Sequence, residues 1–244
     1  LWHSSRDRKF IHWQPDEIGE DAEEKPFDYY VLSEATEGAR TDFNRWLTLK
    51  AWYRSKRIPW RRGHLYHGTP GTGKTSLARA LAQEADIPVF VFDLSSMSNR
   101  EFVECWKEMQ EATPCMALIE DIDGCFNGRT NVLGENGGGL TFDCLLNAIG
   151  GIESCDGVFL VITTNKPELL DSAISEARPG RIDRAYEFGI PTEDQSATII
   201  RKVLGYCGPG DIEQVRGKSA AQVTEYAITR AVHELFSQSG CESV

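Results

Sequence analysis

Residues 68–75 read GTPGTGKT and fill the pattern G-x-x-x-x-G-K-[ST]. Gly68, Gly71 and Gly73 let a backbone fold tightly enough to aim its N–H groups at phosphate oxygens, with Thr69, Pro70 and Thr72 completing the loop. Lys74 supplies a point charge for β- and γ-phosphates and Thr75 a hydroxyl for Mg²⁺. A helix opening here and running on through Ser76 adds its positive end. The chemistry is that of a triphosphate site. A chance glycine turn would have no use for the Lys-Thr pair.

Three further stretches could act on that triphosphate. In CMALIEDIDGCF (115–126) an apolar run ends in Glu120, Asp121 and Asp123. Crowded carboxylates repel, so they call for a positive charge, and magnesium on the nucleotide would supply it while the acids polarise an attacking water. A solvated loop tip is the plainer alternative. The run FLVITTN ends in Thr163, Thr164 and Asn165. An amide at the end of a strand can orient water without competing for its proton, although such an Asn is commonly turn chemistry. Finally, EARPGRIDR places Arg178 and Arg181 on a loop held by Pro179 and Gly180. A guanidinium stabilises charge spread over a transferring phosphoryl group, and a surface ion-pair cluster with Glu176 and Asp183 is an even alternative.

The elements that must position these residues can be read from periodicity. Ala39, Phe43, Trp46 and Leu47 share one face of a helix that opens after Ser33, and Pro59 closes the region. Short apolar strands at 64–67, 88–94, 115–120, 157–165 and 185–190 then alternate with helices at about 75–85 and 100–111. A third helix carries Phe142, Leu145, Leu146 and Ile149. The alternation predicts an α/β fold with a five-stranded parallel sheet between helices. Helical patterns at about 193–206 and 219–238 predict a small C-terminal lid, the second opened by Ser219 and Gln222 at capping-box spacing. Three regions follow: a charged lead-in or linker (1–30), a nucleotide-binding core (31–191), and the lid with its tail (192–244). The glycine-rich 134–139 reads as a loop. His64 and His67 flank a strand expected to be central, and they read as structural rather than metal-binding.

Composition bounds the rest. With 244 residues, 26 Lys+Arg and 37 Asp+Glu, the chain carries a formal charge of -11, which disfavours indiscriminate attraction to nucleic acid or anionic lipid. Its seven cysteines include no C-x-x-C pair, so reduced thiols in an intracellular reducing compartment are expected. No apolar run is long enough to span a bilayer. Because the chain begins at Leu1, a targeting or anchoring segment is expected to lie outside it. His233-Glu234 lacks the second histidine of a zinc protease.

The ordered set of GTPGTGKT, acidic strand end, strand-terminal Asn and RPGR resembles the AAA family of ATPases over roughly residues 30–235. Within it, WYRSKRIPWRRG, LIEDIDGCF and LTFDCLLNAIGGI are similar to the branch typified by the mitochondrial inner-membrane translocase of the Rieske iron–sulfur protein. The resemblance implies a P-loop AAA+ core, ATP and Mg²⁺ as ligands, and a homo-oligomeric ring in which Arg178 and Arg181 act on a neighbour's nucleotide. It makes Thr75 and Glu120 the metal-side groups and Asp121 the base, and it carries Lys74 and Asn165 as catalytic. Asp123 falls at a further family acid of structural rather than catalytic character. Substrates would be proteins. A membrane role or a mitochondrial location follows from the resemblance alone. The loop LSSMSNREF lacks the aromatic residue that chain-threading members use, Met97 being the nearest substitute. Two other classes remain: a nucleic-acid-handling ATPase, suggested by basic and aromatic residues alternating in WYRSKRIPWRR, and an ATP-gated assembly protein with slow turnover.

Overall fold

The computed structural model describes residues 2–3, 10–13, 26–27, 30–31, 33–127, 130–131, 139–150, 155–170, 172–175 and 181–238. At its centre five strands run parallel: β3 (Arg62–Gly68), β4 (Val89–Phe92), β5 (Cys115–Ile119), β8 (Val158–Thr164) and β9 (Arg184–Phe188). They match the five predicted from alternation, in the spatial order β4-β5-β8-β3-β9. Two strands from the stretch read as a lead-in, β1 (Trp2–His3) and β2 (Phe10–Trp13), extend the sheet antiparallel beyond β4. A separate small hairpin pairs β6 (Phe126–Asn127) with β7 (Thr130–Asn131).

Strict alternation along the central strands sends side chains to two cores. Cys115, Ala117 and Ile119 of β5, with Val158, Leu160 and Ile162 of β8, face α4 (Asn99–Gln110) and α5 (Phe142–Gly150). Met116, Leu118, Phe159 and Val161 face α1 (Glu34–Thr48) and α3 (Lys74–Glu84). Continuous apolar strands are what a sheet covered on both faces requires. Helix α1 opens on a Ser33–Thr36 capping box and buries Ala39, Phe43 and Trp46 along one stripe. A short α2 (Lys50–Ser55) follows, and Trp60 then stacks on Trp46 with ring centroids 4.8 Å apart.

After a one-turn α6 (Ser172–Ser175) and β9, three helices close the chain: α7 (Glu193–Leu204), α8 (Pro209–Val215) and α9 (Ala220–Gln238). Only two were expected there. The seven-residue α8 is too short to show a periodicity, and its GPGD opening reads as a turn. These helices have a core of their own, built on Ile200, Val215, Val223 and Ala227. The predicted Ser219–Gln222 capping box is present. Among the described residues no helix is long and apolar enough to cross a membrane. Six described cysteines are free thiols.

Inside the sheet, His64 is fully buried, with Nε2 2.9 Å from Asp42 Oδ2 and Nδ1 3.3 Å from the Tyr66 hydroxyl. Arg62 grips the same Asp42 carboxylate at 3.0 and 3.2 Å. Burial pulls His64 below its ordinary pKa of 6.5, against the opposing pull of Asp42. Burial acts to raise Asp42, but the hydrogen bonds from His64 and Arg62 outweigh it and hold the carboxyl well below the usual range. A neutral ring fits this arrangement by donating from Nε2 to Asp42, whose charge Arg62 balances. The His64 ring also packs edge-on against Phe159, with centroids 4.6 Å apart.

Both depressed values give the same sign: the unfolded chain binds protons that the folded one refuses, so stability is lost as pH falls. Urea unfolding midpoints are expected to hold above pH 6.5 and to decline from there toward pH 5. A midpoint constant across that interval would mean that His64 titrates alike in the folded and unfolded chains, and one that rises as pH falls would mean that it is charged in the fold.

Candidate functional site

Parallel strands deliver their carboxyl ends to one edge of the sheet, and the candidate residues of β3, β5 and β8 meet there. The phosphate loop leaves β3 with positive φ at Gly68 (137°), Gly71 (75°) and Gly73 (94°), a backbone that side-chain-bearing residues rarely adopt. Gly71 is constrained twice, because a Cβ there would lie 2.9 Å from Ser219 Oγ and 3.1 Å from Ala221 Cβ. Thr72 Oγ1 donates back to Thr69 O at 2.8 Å, tightening the turn. Helix α3 then starts at Lys74, and Ser76 faces the cleft beside the loop.

Lys74 is buried at the centre of the site. Its Nζ donates to Gly68 O (2.8 Å), Thr69 O (3.0 Å) and Asn165 Oδ1 (2.7 Å), tying the end of β3 to the end of β8. Burial lowers its pKa, while the charges of Asp121 and Asp123 act to raise it. Asn165 turns its Nδ2 to Asp121 Oδ1 at 3.0 Å, so one amide joins the ammonium to the acid. Thr75 Oγ1 donates to Glu120 Oε1 at 2.7 Å.

The carboxylates are not left facing one another, as the sequence suggested. Glu120 takes the Thr75 hydroxyl and Asp121 takes the Asn165 amide. Asp123 accepts from Thr164 Oγ1 (2.6 Å) and Asn165 N (3.0 Å), bracing the end of β8. The device that separates them is backbone: Asp121 adopts φ 45° and ψ 53°, which swings the chain between its neighbours, and its N–H is held by Thr163 Oγ1 at 3.0 Å. Each acid thus has a donor within the chain. Thr75 and Glu120 together offer a hydroxyl and a carboxylate, the hard oxygen donors that suit Mg²⁺ when substrate phosphates and water complete its shell.

Beside the loop lies a cleft of about 270 Å³ lined by Tyr30, Val31, Ile199, Ala220, Ala221 and Thr224. The Tyr30 hydroxyl donates to Gly73 O at 3.0 Å, its carbonyl accepts from Lys202 Nζ at 3.2 Å, and Ala221 N donates to Gly71 O at 2.9 Å. None of these residues was singled out from sequence. The Ser219 capping box gave the only signal, since it fixes where α9 begins without saying what that end touches.

Arg181 lies elsewhere. Its carbonyl would be 1.7 Å from a Cβ on Gly63, at the amino end of β3, whereas the phosphate loop begins five residues on, about 16 Å along the strand. Its side chain lies across Gly150, where a Cβ would come within 2.3 Å of Nε. Arg178, with Glu176, Pro179 and Gly180, is outside the described residues, as are positions 134–138 of the glycine-rich run. In WYRSKRIPWRR, Trp60 is 2% exposed and Arg62 is ion-paired with Asp42, while Trp52 is 48% exposed.

The family described as "ATPase family associated with various cellular activities (AAA)" matches residues 64–190, just over half of the chain. "Probable mitochondrial chaperone BCS1-A" of Dictyostelium discoideum is 39% identical over 165 residues, covering 65% of this chain and 38% of that protein. "Probable mitochondrial chaperone bcs1" of Schizosaccharomyces pombe is 36% identical over 169 residues, covering 68% and 36%. "ATP-dependent zinc metalloprotease FtsH" of the Aster yellows witches'-broom phytoplasma is 37% identical over 153 residues, covering 59% and 22%. The chain therefore spans well under half the length of these relatives. The matched segment runs from β3 through β9 and contains the phosphate loop, the acidic strand end and Asn165: the chain belongs to the AAA family of ATPases.

Proposed function

We propose that the chain binds MgATP at the edge formed by β3, β5 and β8 and hydrolyses it between the subunits of a ring to remodel or translocate protein. The observation that carries this reading is the unbroken line of hydrogen bonds from Lys74 through Asn165 to Asp121, beside the Thr75–Glu120 pair. The base and ribose would fill the cleft between Tyr30, Val31 and the lid, and the triphosphate would lie along the glycine loop. Thr75 and Glu120 would hold Mg²⁺, which when bound neutralises charge on the β- and γ-phosphates. Lys74 would exchange its carbonyl partners for phosphate oxygens. Asp121 takes a proton from the water that Asn165 orients, and that water attacks the γ-phosphorus to leave ADP and phosphate.

Arg181 lies too far from its own phosphate loop to serve it, which favours action on a neighbouring copy, with Arg178 as its partner. The BCS1-type relatives favour a mitochondrial protein-handling role. Nucleic acid is the weaker partner class, because the chain carries a formal charge of -11 and Trp60 of the aromatic-basic stretch is buried. An ATP-gated assembly protein with slow turnover differs by a single measurement, steady-state phosphate release.

Lys74→Ala is expected to weaken ATP binding at least about tenfold by calorimetry, since the ammonium is the main cation facing the phosphates. Asp121→Asn should bind ATP as the parent does, while phosphate release falls by about 10² or more. If Glu120→Gln gives that phenotype instead, the two acids are assigned in the wrong order. Gly150→Ala should fold normally and bind ATP normally, because only the flexible Arg181 side chain must move to admit the new methyl. Its turnover should drop as that side chain leaves its seat, and full turnover would show that the seat has no part in the reaction.

A further inference from the structure

The register of β5 on β8 ends at Ile119 and Ile162. Beyond it, β8 holds the acidic turn through side chains. Alternation along a strand puts Thr163 and Asn165 on one side and Thr164 on the other. Both residues of the first pair reach Asp121: Thr163 Oγ1 accepts its N–H at 3.0 Å, and Asn165 Nδ2 donates to its Oδ1 at 3.0 Å. Thr164 Oγ1 donates instead to Asp123, at 2.6 Å. Asp121 is therefore gripped twice from one strand, once by its backbone and once by its carboxylate.

The reaction leaves only one of these grips in place. For Asp121 to take a proton from the water that Asn165 orients, the amide must turn to the water and release Oδ1. The bond from the Asp121 N–H to Thr163 involves no atom with a part in that exchange. Thr163 is also 1% exposed, so its oxygen is fixed by the sheet, whereas Asp121 itself stands at the surface. Asp121 needs such a hold. Its φ of 45° and ψ of 53° lie in the left-handed region, where L-residues are disfavoured unless a contact retains them. A single methylene joins its backbone to its carboxyl, so a backbone that relaxes carries the reacting oxygens with it.

We propose that Thr163 is a positioning residue for the hydrolytic step: by accepting the Asp121 N–H, its hydroxyl oxygen keeps that residue in the left-handed turn that aims the carboxylate at the attacking water. The inference rests on the reading of Asp121 as the base. Thr163 touches neither water nor phosphate in this role, and it acts on the rate of the chemical step rather than on nucleotide binding.

The test is steady-state phosphate release with substitutions at position 163. Thr163→Val keeps the branched shape and removes the acceptor. Its ATP affinity by calorimetry and its KM should match the parent while kcat falls at least about tenfold, since a reacting group displaced by about 1 Å can cost about 10²-fold. Thr163→Ser loses a packed methyl but keeps the oxygen, and it should restore most of kcat. A role in packing alone would reverse that order and overturn the proposal. Should Thr163→Val fail to fold, Thr163→Ala and Thr163→Ser differ only in the oxygen and give the same comparison, with Thr163→Ala the slow one. Combined with Asp121→Asn, Thr163→Val should slow release no further, because the group it positions is gone. A further loss in the double variant would mean that Thr163 acts through another group, and this overturns the proposal, as does parental kcat in Thr163→Val. If Asp121→Asn is slow and Thr163→Val is not, only this inference falls. If Asp121→Asn alone keeps parental turnover, the assignment of the base falls and takes this inference with it.

Discussion

The ammonium of Lys74 is the point on which the candidate site depends. It is buried and charged, and it is tolerable there only because two carbonyls of its own loop and the Asn165 oxygen surround it. Those partners belong to β3 and β8, adjacent strands running in the same direction. The sheet register, set by apolar side chains far from the site, therefore decides whether Lys74 finds its third acceptor. A one-residue slip of β8 would put Thr164 or Lys166 at the position of Asn165 and would turn the apolar residues of β8 to the wrong face.

Much of this was legible in the sequence because the signals were local. GTPGTGKT needs only its spacing, and CMALI and VFLVITT need only apolar runs of strand length. The capping box at Ser219 was equally readable, since a cap is a contact three residues long. What escaped was whatever depends on chain returning from afar. Tyr30 reaches Gly73 across 43 residues, and Ala221 reaches Gly71 across a gap longer still. No spacing rule covers such contacts. The two N-terminal strands escaped for a related reason: Phe10–Trp13 is short, lies among charges, and acquires its partner only when β4 presents an open edge.

The acidic strand end shows how a sound local reading can miss part of the compensation. Crowded carboxylates do need compensation, but the fold supplies it through Thr75, Asn165 and Thr164, with a left-handed turn at Asp121 to separate them. Sequence distance treats these acids as neighbours, whereas the backbone turn makes them occupants of three separate hydrogen-bonded niches. The opposite edge shows the converse. Arg61 and Arg62 look interchangeable in sequence, yet one is neutralised by Asp42 and the other is not.

The cleft beside the phosphate loop has one wall from the sheet domain and another from α7 and α9, whose apolar core is separate. A purine wedged there would act as mortar between two independently built blocks. Whatever energy it gains from both walls is also energy that resists their rocking apart, so tightness of binding and stiffness of the joint become one thermodynamic quantity. Without the occupant the joint would rest on contacts such as Ala221 N to Gly71 O and Lys202 Nζ to Tyr30 O.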